Sequence, residues 1–212
     1  MICSSIKNIV FDIGGVLVDL DKDICVNSFK AIGFERAESI IDYYSPAEFF
    51  KQLELGNIDT KEVCQCIRRE ANNDNIADID IVNAYRSFLV SLPIYKLRLI
   101  KSLKDAGYMI YALSNINEVV MPLLTDDFFR QDGLTMDDYF HKSYLSYQMG
   151  ALKPTPEIYQ MMIDDSGMVP SETLFIDDSV ANINTAQELG FNVYLAAAQE
   201  DFSHIFDDIL KK

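Results

Sequence analysis

The sequence has few basic residues for its length. Only 18 of its 212 residues are lysine or arginine, against 33 aspartates and glutamates, which gives a formal net charge of -15. A surface of that sign repels nucleic-acid backbones and anionic lipids, and no basic run focuses the positive charge. We therefore expect neither a nucleic acid nor a membrane as partner.

Cysteine is also scarce, and no uninterrupted apolar run marks a leader segment. The four cysteines are Cys3, Cys25, Cys64 and Cys66. Their spacing fits neither a disulfide framework nor a zinc site. The apolar segment 9–20 contains Asp12 and Asp19 and is followed by no small-residue cleavage site, so it reads as a strand rather than a signal peptide. Reduced thiols in the cytoplasm are expected.

Three short apolar runs, each followed by polar residues, indicate the fold. The runs are 9–11 before Asp12, 108–113 before Ser114 and Asn115, and 173–176 before Asp177 and Asp178. Continuous apolar strands alternating with helical segments are typical of a parallel sheet with helices on both faces. The prediction is an α/β, Rossmann-like fold.

Residues typical of helix starts and ends divide the chain into two predicted domains. Proline or threonine starts and glycine stops predict helices over 93–106, from 155 to near Gly167, and from about 180 to Gly190. Between residues 20 and 92 the pattern predicts helices alone, opening at Ser45-Pro46, Asp59-Thr60 and Asp80. On the last of these, Ile81, Tyr85, Phe88 and Leu89 would share one packing face. We predict a core domain of 1–19 and 93–212 and an inserted helical cap of 20–92.

The polar residues after the strands converge in such a fold, because ligands bind beyond the carboxyl ends of parallel strands. Asp12, Asp177 and Asp178 would repel one another unless a hard divalent cation such as Mg²⁺ lies between them. Hydroxyl, amide and backbone N–H groups at Ser114-Asn115 suit a phosphate. With Lys153 as counter-charge, the set suits phosphoryl transfer with Asp12 as nucleophile.

Four motifs occur in an order that resembles the haloacid dehalogenase-like (HAD) hydrolases over essentially the whole chain. They are FDIGGVLVD from residue 11, LSN from 113, GALKPTPEIY from 150 and FIDDSVAN from 175. The resemblance implies that Asp12 is the nucleophile, that Ser114 and Asn115 bind the phosphoryl group, and that Lys153 neutralises nucleophile and substrate. It also implies a mobile cap that excludes water and selects substrates.

The same resemblance implies a Mg²⁺ site. Asp12 and Asp178 would bind the metal directly, the carbonyl oxygen of Gly14 would be a further ligand, and Asp177 would support or contact the metal. Asn182, in the fourth motif, would support the acidic pair.

Position 14 departs from the usual pattern, because phosphatases of this family generally carry there a second aspartate that serves as general acid and base. Proton transfer then has no assigned group. We expect a substitute donor from the cap, the substrate or water, and Asp19 and Asp21 are the nearest acidic candidates in sequence. The Asp-x-Gly-Gly motif resembles a bacterial subgroup that includes sugar-phosphate phosphatases. The first interpretation is therefore a phosphatase acting on a small phosphorylated metabolite.

Two alternatives follow from the glycine. A 2-haloacid dehalogenase also uses a strand-end aspartate and needs no metal, although Asp177 and Asp178 argue against it. A non-catalytic phosphometabolite-binding protein would keep the pocket without turnover. His141 and His204 are expected to be surface or packing residues. No sequence pattern specifies an oligomeric state.

Overall fold

A computed structural model describes residues 5–41 and 47–210, and a parallel sheet forms its centre. The strands are β1 (Asn8–Phe11), β2 (Asp19–Leu20), β3 (Leu89–Ser91), β4 (Met109–Ser114), β5 (Lys142–Leu145), β6 (Thr173–Asp177) and β7 (Asn192–Leu195). Five of them pair in the order β5-β4-β1-β6-β7, with every pairing parallel. β1 and β6 are buried along their whole length, as strands covered on both faces must be.

Helices cover both faces of this sheet. The α-helices are α1 (Lys22–Ala31), α2 (Glu48–Glu54), α3 (Thr60–Ala71), α4 (Asp78–Arg86), α5 (Ile94–Asp105), α6 (Met121–Asp126), α7 (Met136–Tyr139), α8 (Ser146–Met149), α9 (Pro156–Ser166), α10 (Val180–Glu188) and α11 (Asp207–Leu210). Alternate residues of β1 point to opposite faces. Ile9 and Phe11 pack in one apolar cluster with α5, whereas Val10 packs in another with α9 and α10. The predicted α/β architecture is confirmed.

The register of the central strands brings their carboxyl ends together. Phe11, the last residue of β1, lies opposite Ala112 on one side and Ile176 on the other. The next residue, Asp12, donates its backbone N–H to the carbonyl oxygen of Ile176 at 2.9 Å. Side chains that follow β1, β4 and β6 therefore meet at one edge of the sheet.

Helices α1 to α4 form a third apolar cluster, separate from the two that flank the sheet. Buried residues of this cluster come from all four helices and include Phe29, Phe50, Leu53, Ile67 and Ile81. The side chain of Val119, from the loop after β4, packs in the same cluster and so ties it to the sheet.

Two details of this segment differ from the sequence prediction. It is not helical throughout, because β2 and β3 pair antiparallel where the chain leaves the core and returns to it. α4 begins at Asp78 rather than Asp80 and ends at Arg86, so Phe88 and Leu89 are not on that helix. The predicted helix start at Ser45-Pro46 lies outside the described residues, as does Cys3.

Edge strand β5 was not predicted at all. Its sequence, Lys-Ser-Tyr-Leu, is short and begins with an exposed charged residue, so it lacks the continuous apolar run that marks β1, β4 and β6. Across residues 5–41 and 47–210, no helix combines the length and apolar character needed to cross a membrane.

Candidate active site

Three carboxylates and one ammonium group converge where β1 and β6 end. Asp12, Asp177 and Asp178 each offer a carboxylate oxygen, and these oxygens lie within 4.8 Å of one another. Lys153 lies between two of them, with Nζ 2.9 Å from Oδ2 of Asp12 and 2.7 Å from Oδ2 of Asp177. Three ionised carboxylates and one lysine leave two negative charges, the amount that one divalent cation balances.

Burial controls the electrostatics of this cluster. It raises the pKa of Asp12 to about 7; Lys153 opposes the shift, while Asp177 and Asp178 add to it. The pKa of Asp178 is also raised, first by burial and then by Asp177. Burial by itself lowers the pKa of Lys153, but the neighbouring carboxylates outweigh it and hold the pKa above its ordinary value. The lysine is therefore charged, and the carboxylates need further positive charge to be ionised together.

Both carboxylate oxygens of Asp177 accept hydrogen bonds from protein groups. Its Oδ1 accepts from the backbone N–H of Ser179 at 2.8 Å, and Asn182 Nδ2 lies 2.9 and 3.1 Å from its two oxygens. With the bond from Lys153, both oxygens are occupied, and the side chain is fully buried. This arrangement suits a residue that fixes its neighbours better than one that gives both oxygens to a metal.

Ser114 and Asn115 lie at the end of β4, beside the acidic cluster. Ser114 is 2% exposed. The Asn115 side chain makes two hydrogen bonds of 2.9 Å with the backbone of Lys153, donating to its carbonyl oxygen and accepting from its N–H. The amide predicted to bind phosphate therefore also fixes the loop that carries the lysine.

The turn after Asp12 brings backbone rather than side chains to the site. The carbonyl oxygen of Ile13 accepts from Leu17 and Val18, which closes a tight turn around Gly14 and Gly15. Gly15 has a φ of +75°, and a Cβ added to it would lie 2.2 Å from Oδ2 of Asp178. Only glycine fits this approach.

The helical segment and the carboxyl ends of the strands line one cavity together. This cavity of about 90 Å³ is lined by Glu54, Tyr85 and Phe88 from the inserted segment and by Gly14 and Ser114 from the edge of the sheet. Tyr85 and Phe88, predicted from sequence as packing residues, thus face the site. Tyr85 also stacks on Phe50 in the apolar cluster, with the ring centroids 5.0 Å apart.

Three residues of the loop after β4 connect the sheet to these helices by polar contacts. Asn117 Nδ2 donates to the Tyr85 hydroxyl at 3.0 Å, and the carboxylate of Glu118 accepts from the backbone N–H of Thr60 at 2.6 Å. Arg86 Nε donates to the carbonyl oxygen of Val119 at 2.6 Å. Gly56 lies so close to Tyr147 that an added Cβ would be 2.2 Å from its carbonyl oxygen. These contacts hold the helices over the site.

Asp19 and Asp21, the acidic candidates suggested by sequence proximity, have other partners. Asp19 accepts from the Ser91 hydroxyl at 2.8 Å and lies 3.6 Å from Nζ of the buried Lys96. Asp21 caps α1 by accepting from the N–H groups of Asp23 and Ile24. Neither lines the cavity. His141 and His204 are exposed, and neither lines it.

Two polar residues of the cavity had no role in the sequence prediction. Glu54 is the last residue of α2, and Asn117 follows the Ser-Asn motif in the loop after β4. A carboxylate and an amide at such positions look like ordinary helix-end and loop residues, so only the three-dimensional arrangement reveals them.

The donor chemistry of the cluster fits Mg²⁺. Hard carboxylate oxygens, a raised pKa for two of the acids and a glycine that lets Asp178 approach the loop all suit a small divalent cation. Beside them, a buried serine hydroxyl and a charged lysine suit a phosphoryl group.

Comparisons with known proteins agree with this chemistry. The family model for haloacid dehalogenase-like hydrolases matches residues 6–190. A D-ribitol-5-phosphate phosphatase from Bacteroides thetaiotaomicron is 39% identical over 189 residues, covering 89% of this chain and 91% of the relative.

Solved structures of HAD enzymes and hydrolases also resemble this chain. A HAD family enzyme from Bacteroides thetaiotaomicron, crystallised with magnesium and inorganic phosphate, superposes with a TM-score of 0.89 at 41% identity, covering 95% of this chain and 99% of that one. A predicted HAD-like hydrolase from Porphyromonas gingivalis gives 0.89 at 36% identity, covering 99% and 100%.

Proposed function

The chain belongs to the haloacid dehalogenase-like hydrolases, and we propose that within this family it is a Mg²⁺-dependent phosphatase acting on a small phosphorylated polyol or sugar. One observation carries the proposal: Lys153 bridges Asp12 and Asp177 in a buried cluster of carboxylates beside Ser114. A metal-independent dehalogenase does not need such a cluster of carboxylates, whereas a divalent cation does, and the lysine and serine beside it suit a phosphoryl group.

Asp12 is the nucleophile in this proposal. Its Oδ1 accepts from the backbone N–H of Ile13 at 2.7 Å and its Oδ2 from Lys153, so the carboxylate is fixed in orientation before substrate binds. It attacks phosphorus, the bond from phosphorus to the ester oxygen breaks, and an aspartyl-phosphate forms. The Ser114 hydroxyl and the backbone N–H of Asn115 bind the phosphoryl oxygens, while the Asn115 side chain fixes the loop of Lys153, which stabilises the charge that develops on those oxygens.

Asp12, Asp178 and the carbonyl oxygen of Gly14 would hold Mg²⁺, with Asp177 and Asn182 as supports. When bound, Mg²⁺ supplies the positive charge that lets the carboxylates ionise together and neutralises the phosphoryl oxygens.

We propose that the helical segment, residues 20–92, acts as a cap that selects the substrate. The cavity beneath it, about 90 Å³, is smaller than the roughly 300–1,000 Å³ typical of ligand pockets. The cap therefore has to move away from the loop after β4 for substrate to enter. Glu54, Asn117 and the Tyr85 hydroxyl suit a polyhydroxylated leaving group, and the ribitol-phosphate relative supports that class.

Free thiols at Cys25, Cys64 and Cys66 support a cytoplasmic location.

Phosphate release from D-ribitol 5-phosphate, other polyol and sugar phosphates, and nucleotides tests the proposal. With Mg²⁺ present we expect release to be fastest for the acyclic or sugar esters, and chelation by EDTA should abolish it. Chloride release from a 2-haloacid without metal would instead identify a dehalogenase, and phosphate-ester binding without release would identify a binding protein.

Replacing Gly15 with alanine should weaken Mg²⁺ binding. The new Cβ would occupy the place of Asp178 Oδ2, 2.2 Å away, so the carboxylate must move. The left-handed backbone adds roughly 1–2 kcal/mol of strain. We expect calorimetric titration to show Mg²⁺ affinity at least about tenfold weaker, the usual cost of misplacing groups around a metal ligand.

Gly167→Ala is the matched control for that change. Gly167 has a φ of +69°, close to that of Gly15, but an added Cβ would meet no atom within 4 Å. Both variants should lose thermal stability through backbone strain, whereas Mg²⁺ affinity should fall in Gly15→Ala alone. Equal Mg²⁺ affinity in the two variants would contradict a metal-binding role for Asp178.

A further inference from the structure

Glycine at position 14 leaves the proposed reaction without a proton-transfer group. Breaking an unactivated phosphate ester puts negative charge on the leaving oxygen, which needs a proton, and the water that releases phosphate from Asp12 must lose one. Asp19 and Asp21 have partners elsewhere. A side chain from another part of the molecule that reaches the cavity can supply this group.

Glu54 is the carboxyl group that the cap places in this cavity. It ends α2, is half-buried, and lines the space opposite Gly14 together with Ser114 and Asn115. Its helix is anchored by Phe50 and Leu53, both buried in the apolar cluster of the cap. Two residues after it, Gly56 packs against the backbone of Tyr147 in the core. The carboxyl group is thus held over the site whenever the cap is closed.

We propose that Glu54 is the general acid and base of the phosphatase reaction, delivered by the cap in place of the aspartate missing at position 14. The inference rests on the proposed function. It also gives cap closure a chemical purpose, because the proton-transfer group meets the ester oxygen only when the cap covers the substrate.

The proton balance closes over two steps. As Asp12 attacks phosphorus, the electron pair of the breaking P–O bond goes to the leaving oxygen, which takes the proton of the Glu54 carboxyl group and departs as an alcohol. The resulting Glu54 carboxylate then removes a proton from water while the water oxygen bonds to phosphorus. The bond between phosphorus and Asp12 breaks, inorganic phosphate forms, and Glu54 is protonated again.

The surroundings of Glu54 suit both steps. Burial raises its pKa to about 7, while the positive charge of Lys153 opposes the rise. A group with a pKa near neutrality is available both as an acid and as a base. The other titratable side chain nearby, Tyr85, has its pKa raised by burial and then by Glu54, so it is neutral and does not compete.

The test is Glu54→Gln, which keeps size and polarity but cannot transfer a proton. With an alkyl phosphate such as D-ribitol 5-phosphate, we expect kcat to fall roughly 10²–10⁴-fold. With p-nitrophenyl phosphate, whose leaving group departs without protonation, Asp12 should still be phosphorylated. The variant should then release a rapid burst of about one nitrophenolate per active site, followed by slow turnover, because the water attack lacks its base.

Glu48→Gln is the matched control, since Glu48 lies on the same helix and is exposed. It should behave as the wild type. Wild-type turnover of alkyl phosphates by Glu54→Gln would overturn the inference, as would an equal loss on both substrates with no burst, which would indicate a substrate-binding role. Absence of phosphate release from the wild-type protein would instead overturn the proposed function.

Discussion

The Asp12→Asn variant is expected to release no phosphate from any ester that the wild type hydrolyses. An amide oxygen is a far weaker nucleophile than a carboxylate, and removing a nucleophile typically costs about 10⁴-fold or more in kcat. Asparagine keeps the volume of the side chain and an oxygen that can accept from the Ile13 N–H, so the turn after β1 should persist. The measurement is phosphate release with Mg²⁺ present.

The control for this variant is Asp21→Asn, which makes the same change of charge nearby in the sequence. Asp21 caps α1, and asparagine is an equally good cap. Its activity and thermal stability should match those of the wild type. Asp12→Asn should also fold, because it removes one of three mutually repelling carboxylates while Lys153 keeps its bond to Asp177. Phosphate release by a folded Asp12→Asn variant would exclude Asp12 as nucleophile.

The part of this site that lies on the sheet was predictable, because its signals are local. Asp12, Ser114 and Asp177 each follow an apolar run, and the geometry of a parallel sheet brings such positions to one edge. The observed register places them there. Convergence of the acidic residues required only that the three runs be recognised as strands of one sheet.

The part contributed by the cap was not predictable in the same way. Glu54 follows the buried Leu53 at the end of a helix, and nothing in its neighbours distinguishes it from a surface glutamate. Its place in the cavity depends on how the cap helices pack together and on contacts to the loop after β4. These contacts join residues that are far apart in the sequence, and no periodic pattern in the sequence predicts them. The predicted packing role of Tyr85 is confirmed by its stack on Phe50, but its second role could not be predicted for the same reason: the residue also lines the cavity.

The contacts that the predicted residues make also could not be predicted from the sequence. The side chain of Asn115 was expected to contact phosphate, yet it makes two hydrogen bonds to the backbone of Lys153. The helix-start pattern Thr155-Pro156 predicts where α9 begins. No local pattern predicts that the loop before it lies against the end of β4. The lysine itself was found through its motif, whereas its position between two carboxylates came from the structure.

The Lys153→Met variant is expected to lose both activity and stability. Methionine keeps much of the apolar stem but removes the charge between Asp12 and Asp177, leaving both carboxylates buried without a counter-ion. Removing one partner of a buried ion pair typically costs about 3–5 kcal/mol of folding free energy. Removing one electrostatic group that stabilises a transition state typically costs about 10²–10³ in kcat. Denaturant unfolding and phosphate release measure the two losses separately.

Lys142→Met shows why burial rather than distance sets this expectation. Lys142 lies 2.7 Å from Asp165, the same separation as that between Lys153 and Asp177, but about half of each side chain in the surface pair is exposed. Water already screens that pair, so its loss should cost no more than about 1 kcal/mol and leave kcat unchanged. Without Lys153, by contrast, the pKa of Asp12 should rise above about 7, because the lysine is what opposes the effect of burial. A Lys153→Met protein as stable and as active as Lys142→Met would show that the acidic cluster needs no internal counter-charge.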